Sequence, residues 1–142
     1  MKISAKIDYA CRALVELGLH WPDNRPMQVS AIAKRQKIPM NFLVHILITL
    51  KELGYVDSIR GKSGGYVLLK SPQEIRMSDV FKSFGGLGFT AQAKPKTSKN
   101  ANVMDGVWHE INDAVLKAMD ALTLETICNR ERSRGSAINY DI

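Results

Sequence analysis

Cysteine is scarce in this chain of 142 residues: Cys11 and Cys128 are the only two. Two isolated thiols supply neither the dense disulfide framework of a small secreted protein nor the paired spacing of a zinc site, so a reducing, cytoplasmic setting is expected. Hydrophobic runs are short as well. No stretch approaches the ~18 apolar residues that a membrane-crossing helix needs. The opening MKISAKIDYACRALVELGLH carries charges throughout and has no small-residue cleavage site, which argues against a secretory signal. Phosphate-binding glycine patterns are missing too. Neither GxGxxG nor GxxxxGK[ST] occurs, and the glycine cluster at 61–65 is followed by a strand-like run rather than by a helix. His20, His45 and His109 are scattered, and no nucleophile and base fall on one structural unit, so an enzyme is not expected.

What the chain does have is an uneven charge. Its net charge is +6, and 45% of its residues are hydrophobic, enough for one core. Residues 1–83 hold 13 Lys and Arg against 7 Asp and Glu, whereas residues 84–142 hold 7 of each. The whole positive excess therefore lies in the first part, and residues 30–70 alone carry seven basic and two acidic residues. A charge run is often only a solvated face. An excess this local, beside a helix of groove-filling size, points instead to a polyanion.

The pattern of elements gives that excess a shape. Apolar residues Ile7, Ala10, Leu14 and Leu17 predict a first helix over 7–19, ended by the Pro-rich loop 21–26. Ser30 is the expected cap of a short second helix reaching about Lys37, and Ile38-Pro39 forces a turn. A third helix is predicted over 39–53, with Leu43, Ile46, Leu47, Leu50 and Leu53 facing the core and Gly54 as its stop. Its outer face then carries Asn41, Val44, His45, Ile48 and Lys51. Residues 55–60 and 66–70 read as a hairpin whose tip, Gly61-Lys62-Ser63-Gly64-Gly65, supplies the backbone freedom of a tight turn. Helix, turn, helix and hairpin make a winged helix-turn-helix: mainly α with a small β wing. This unit is expected over 1–84, with Ser78 capping a fourth helix over 79–84. A flexible loop follows over 85–103, then a long helix over 104–128 and a frayed polar tail over 129–142. Trp108, Ile111, Val115, Ala118 and Leu122 repeat at a 3-4-3-4 spacing on that long helix and are expected to form a dimerisation face.

Double-stranded DNA is the partner this arrangement fits. Asn41 can pair with adenine through two hydrogen bonds, His45 can donate to a base or a phosphate, and Val44 can touch a thymine methyl. A solvated face, with Val44 packed on a neighbour, is the alternative. Arg60 and Lys62, flanked by Ser63 and Gly64 in the wing turn, suit a narrow minor groove, where negative potential concentrates; loose surface charge is the alternative there. Ser30, Lys34, Arg35 and Lys37 precede the turn and are expected near phosphates. Asp105 and His109 lie four apart and could share a metal ion, but two ligands without a third are weak, and capping by Asp105 is the expected role. Cys11 reads as a small core residue, while Cys128, near the end of the long helix, is expected to be exposed.

The stretch KIPMNFLVHILITLKELGYVDSIRGKSGGYVLLKSPQEI, together with the opening helix and VWHEINDAVLKAMDALTLETI, resembles the Rrf-two family of bacterial transcription regulators, IscR-like proteins. Ile38-Pro39, Leu50-x-x-x-Gly54 and Arg60-Gly61-x-x-Gly64-Gly65-Tyr66, in that order, are its most specific part. The resemblance covers residues 1–85 and 103–128. It implies a homodimer in which the long helix crosses to its partner, two recognition helices on a pseudo-palindromic site, and Arg60 as the wing arginine of the minor groove. It also places Asn41, Val44 and His45 in the reading face, although the family's iron–sulfur cluster regulator carries Glu-Gln where Val44-His45 stand, so its operator preference does not transfer. Many members hold an iron–sulfur cluster through three cysteines, often with a histidine, in the loop before the long helix. This chain has no cysteine between Gly85 and Trp108. Asn102 stands where the last cysteine would fall, Asp105 where the histidine would, and Asp8 where some relatives recruit an acidic ligand. Thiolates are the usual cluster ligands, so no iron–sulfur cluster and no other metal is expected. The function expected is that of a sequence-specific regulator, a repressor of the cluster-free branch. A protein-interaction module that recruits a partner without specific DNA binding is the alternative, and a small-molecule effector could act beside either.

Overall fold

A computed structural model describes residues 3–86, 94, 95 and 97–140. Part of the predicted loop over 85–103, namely 87–93 and 96, lies outside them. Helix α1 (Ala5–Gly18) starts where the Ser4 hydroxyl accepts from the Ile7 N–H at 3.2 Å. Its buried stripe includes Ile7, Ala10, Leu14 and Leu17, as the spacing predicts, and also Ala13. Helix α2 (Val29–Gln36) begins at Gln28 with no side-chain cap, so Ser30 lies inside its first turn and does not cap it. Lys37 turns the chain through a left-handed conformation (φ 53°), and α3 (Met40–Glu52) follows from Pro39. Leu43, Ile46, Leu47 and Leu50 are buried on α3, but Leu53, one turn beyond, is 39% exposed, because the chain leaves the core at Gly54.

Strands β1 (Val56–Ile59) and β2 (Gly65–Leu68) pair antiparallel, with Val56 opposite Leu68 and Ile59 opposite Gly65. Two further devices hold this wing to the helices. Met27 exchanges both backbone hydrogen bonds with Tyr66, at 3.0 and 2.8 Å. The Asn24 side chain donates to Leu68 O at 2.9 Å and accepts from Leu68 N at 3.2 Å. A short 3-10 turn (Pro72–Glu74) leads to α4 (Met77–Ser83), which starts after Arg76. Ser78 is therefore not its cap. The residue is buried, and its hydroxyl is turned inward to donate to the Asp120 carboxylate.

The long helix predicted over 104–128 is two helices, α5 (Val103–Asp120) and α6 (Leu124–Tyr140). The reason is tertiary. Met77 N donates to Leu122 O at 2.9 Å and Leu124 N to Ile75 O at 2.8 Å, so this backbone pairs across to 75–77 instead of continuing its own helix. The Thr123 hydroxyl then accepts from Thr126 N at 3.2 Å and caps α6. The predicted polar tail is correspondingly helical through Tyr140, and an Arg134–Glu131 ion pair of 3.2 Å lies along it. Cys128 is 1% exposed, against expectation, because α6 folds back onto α1. The predicted dimerisation face is also divided. Val115 packs on Ile7 and Phe81 and Leu122 on the main core, leaving Trp108, Ile111 and Ala118 turned outward.

The core gathers Leu14, Leu17, Ile32, Leu43, Leu47, Leu50, Val56, Leu68, Val80 and Leu124, each under 2% exposed or at most 2%. Each such side chain contributes about 1.5–3 kcal/mol relative to exposure. The α1–α6 contact is tight at Gly18, where an added Cβ would fall 2.7 Å from Cys128 Sγ and 3.3 Å from Leu124 Cδ2. Gly18→Ala is expected to destabilise the chain by about 1–3 kcal/mol through overpacking, measured by urea unfolding. An unchanged midpoint would contradict the packing of α6 on α1.

Candidate nucleic-acid interface

The inner stripe of α3 is consumed by the core, so its period leaves Asn41, Val44, His45 and Ile48 exposed on the far side. The first three predicted reading residues thus share one solvent-facing surface. Lys51 does not join them freely: it pairs with Asp57 at 3.7 Å and donates to Ser58 Oγ at 2.6 Å, bracing α3 against the wing. Ser30 and Lys34 are exposed at the outer side of α2.

The wing turn presents Arg60, Lys62 and Ser63 to solvent. Gly64 is buried beneath them, and its N–H donates to Gly61 O at 3.0 Å. A Cβ at Gly64 would collide with Ile59 O, and one at Gly65 (φ 146°) with Met27 O. These glycines close the turn and let the wing lie against the backbone at Met27, so the part Gly64 plays is to shape the tip. Gln28 Nε2 donates to Lys62 O at 3.3 Å, tethering that tip to the start of α2. Sequence reasoning missed Gln28 and Asn24. The Asp-Asn pair before Pro26 signalled a loop, but not that Asn24 would stitch β2.

Four cations around this surface, Lys34, Lys37, Arg60 and Lys62, make no ion pair among the described residues. Arg35, grouped with them in the sequence, leans instead toward the buried Glu16 at 3.7 Å. Unneutralised cations beside an exposed helix face give a surface that attracts phosphates.

Asn102 and Asp105 cap each other at the start of α5. Asn102 Oδ1 accepts from Asp105 N at 3.1 Å and Asp105 Oδ2 from Asn102 N at 2.8 Å. Asp105 Oδ1 also accepts from Lys94 N at 3.1 Å, while His109 Nε2 lies 2.9 Å from Lys94 O. Asp105 and His109 therefore converge on the Lys94 backbone. An amide, a carboxylate and an imidazole engaged in this way do not fit an iron–sulfur cluster, which takes thiolates. The two thiols lie elsewhere. Burial, helped by Asp8, pushes Cys11 up to about 11, and burial also raises Cys128. Neither is primed as a thiolate.

Hydrogen bonds from the Asn102 and Lys94 backbones hold the Asp105 carboxyl below its ordinary value. A depressed carboxylate stabilises the fold above its unfolded value of about 3.9, and that contribution is lost as pH falls through the lower folded value. In a Trp21→Phe background Trp108, one turn after Asp105, is the sole tryptophan. Its fluorescence is expected to change as acid opens the start of α5, and Asp105→Asn is expected to remove that acid-linked step. An identical titration in both proteins would contradict the cap.

Comparison with known proteins agrees with this geometry. The family model described as Rrf2, iron-dependent transcriptional regulator, matches residues 3–130. A protein of Synechocystis sp. named as an HTH-type transcriptional regulator is 32% identical, over 99% of both chains. IscR of Pectobacterium atrosepticum is 25% identical over 99% of this chain and 87% of its own. Among solved structures, CymR, the global cysteine regulator of B. subtilis, superposes with a TM-score of 0.76 at 27% identity, covering 92% of this chain and 98% of CymR. T. potens IscR has the same fold, with a TM-score of 0.78 at 24% identity over 92% of this chain and 88% of its own. The chain belongs to the Rrf2 family and is a DNA-binding transcriptional regulator of the helix-turn-helix type.

Proposed function

We propose that the chain works as a homodimeric repressor without an iron–sulfur cluster, with α3 in the major groove and the wing in the minor groove. The observation that carries the groove assignment is the set of cations without an ion pair among the described residues, Lys34, Lys37, Arg60 and Lys62, around the exposed face of Asn41, Val44 and His45. A helix of α3's diameter fits the major groove, and arginine at a hairpin tip suits the narrower minor groove. Repression follows from occupancy: a dimer seated on a promoter excludes other proteins from the same DNA.

The dimer is supported by α5. Along its 18 residues only Asp105 is buried, while Val103 is 82%, Met104 43%, Trp108 40% and Ile111 40% exposed. Contiguous apolar surface of this kind marks an association face. A second copy fits because two such faces would be self-complementary about a two-fold axis, which also spaces two α3 helices for a palindromic site.

The test is a titration of the full chain with its own promoter DNA across salt concentrations. Specific binding is expected to weaken steeply as salt rises, through counterion release. Arg60→Ala is expected to cost about 1–3 kcal/mol of specific affinity, and Lys34→Ala to lower the salt slope by about 1. Intact dimers with only sequence-independent affinity would contradict this and favour a protein-interaction module. Protein prepared without oxygen is expected to lack a cluster's visible absorption; stoichiometric iron and sulfide would contradict the cluster-free assignment.

A further inference from the structure

A cavity of about 460 Å³ opens between α1, the end of α2 and the middle of α6, and it shares no residue with the exposed face of α3 or with the wing. Its size falls in the ~300–1,000 Å³ range of small-molecule sites. Val15 and Ile127 supply apolar wall, Glu16 and Glu131 supply negative charge, and Arg12, Arg35, Arg130 and Arg134 supply positive charge, Arg12 being held by Asp8 at 2.6 Å.

Glu16 is the unusual member. It is only 6% exposed, and its Oε1 accepts from Gln36 Nε2 at 2.7 Å. Its Oε2 is buried and has no hydrogen-bond partner among the described residues. Arg35 stands 3.7 Å away, too far to donate, with a side chain 62% exposed. Buried carboxyl oxygens are rarely left without a donor, because desolvation is then uncompensated. Arg130, across the cavity on α6, makes no ion pair or side-chain hydrogen bond among the described residues, whereas Arg134 is held by Glu131 at 3.2 Å.

These charges restrict what can occupy the site. A simple anion would meet the arginines but face the Glu16 carboxylate, and a simple cation would face the arginines. A neutral apolar molecule would leave Glu16 Oε2 unsatisfied. A small zwitterion meets every requirement: an ammonium that donates to Glu16 and a carboxylate that accepts from guanidinium groups, the stronger, charge-assisted kind of hydrogen bond. We propose that this cavity binds a free α-amino acid, its ammonium on Glu16 Oε2, its carboxylate on Arg130 with Arg35, and an apolar side chain against Val15 and Ile127. The site goes beyond the DNA assignment and does not depend on it.

The experiment is calorimetric titration of the DNA-free full chain with each of the common L-amino acids at millimolar concentration. One or more with apolar side chains is expected to bind, one per chain. Its N-acetyl form, which lacks the ammonium, and its α-amide, which lacks the carboxylate, are expected not to. Glu16→Gln keeps an oxygen for Gln36 but loses the charge, and Arg130→Ala alters an exposed side chain on α6. Each is expected to weaken binding by roughly tenfold or more. Arg130→Ala carries the test alone should Glu16→Gln lower the melting temperature. The proposal is overturned if no amino acid binds, if the N-acetyl form binds as well as its parent, or if Arg130→Ala leaves affinity unchanged. None of these outcomes bears on DNA affinity, which is measured separately.

Discussion

The packing of one face of α3 onto α1 governs the position of everything that meets DNA. Leu43, Leu47 and Leu50 are fully buried against a layer that includes Leu14 and Leu17, and Ile46 is nearly so. A helix pinned along this stripe cannot rotate, so the side chains between those positions, Asn41, Val44 and His45, are held outward at fixed angles. The same core receives Val56 and Leu68 from the wing. Recognition helix and wing are thus two outgrowths of one packed interior, and truncating a buried leucine there would cost about 2–5 kcal/mol. Against a typical total of about 5–15 kcal/mol, reading geometry and stability are nearly the same property.

Electrostatics divides the basic residues into two kinds. Lys51 braces the wing through Asp57 and Ser58, Arg12 is held by Asp8 at 2.6 Å and by Gln36 O at 2.7 Å, and Arg35 faces Glu16. These charges are turned toward the chain's own acidic and polar groups. Lys34, Lys37, Arg60 and Lys62 have no internal acidic partner among the described residues, and so keep their charge available to phosphates. Net charge alone does not make that distinction, since it counts both kinds equally.

The helix-turn-helix and wing were legible because local signals and global packing agree there: leucines at helical spacing, Pro39 at a turn, glycines where β1 meets β2. The misread elements are those where a distant partner decides. Leu122 prolongs the periodicity of α5, yet the helix ends beside it because residues 75–77 capture its backbone. Ser78 has the chemistry of a cap but is turned inward by Asp120, 42 positions away. Cys128, read near the end of the long helix as exposed, is covered by α1, and the burial of Glu16 beside α2 and α6 has no signal in the sequence. The loop before α5 was legible in a different way. Its lack of cysteine is plain in the sequence, whereas the mutual capping of Asn102 and Asp105 needed three dimensions.

The central claim is that α3 and the wing occupy different grooves of one DNA site. Dimethyl sulfate methylates guanine N7 in the major groove and adenine N3 in the minor groove, so interference mapping separates the two contacts on the same duplex. Wild-type protein should be blocked by modification in both grooves. Arg60→Ala should lose the adenine interference while keeping the guanine interference opposite α3. If Arg60→Ala instead left the minor-groove pattern intact, or if only one groove ever showed interference, the arrangement proposed for this regulator would be wrong.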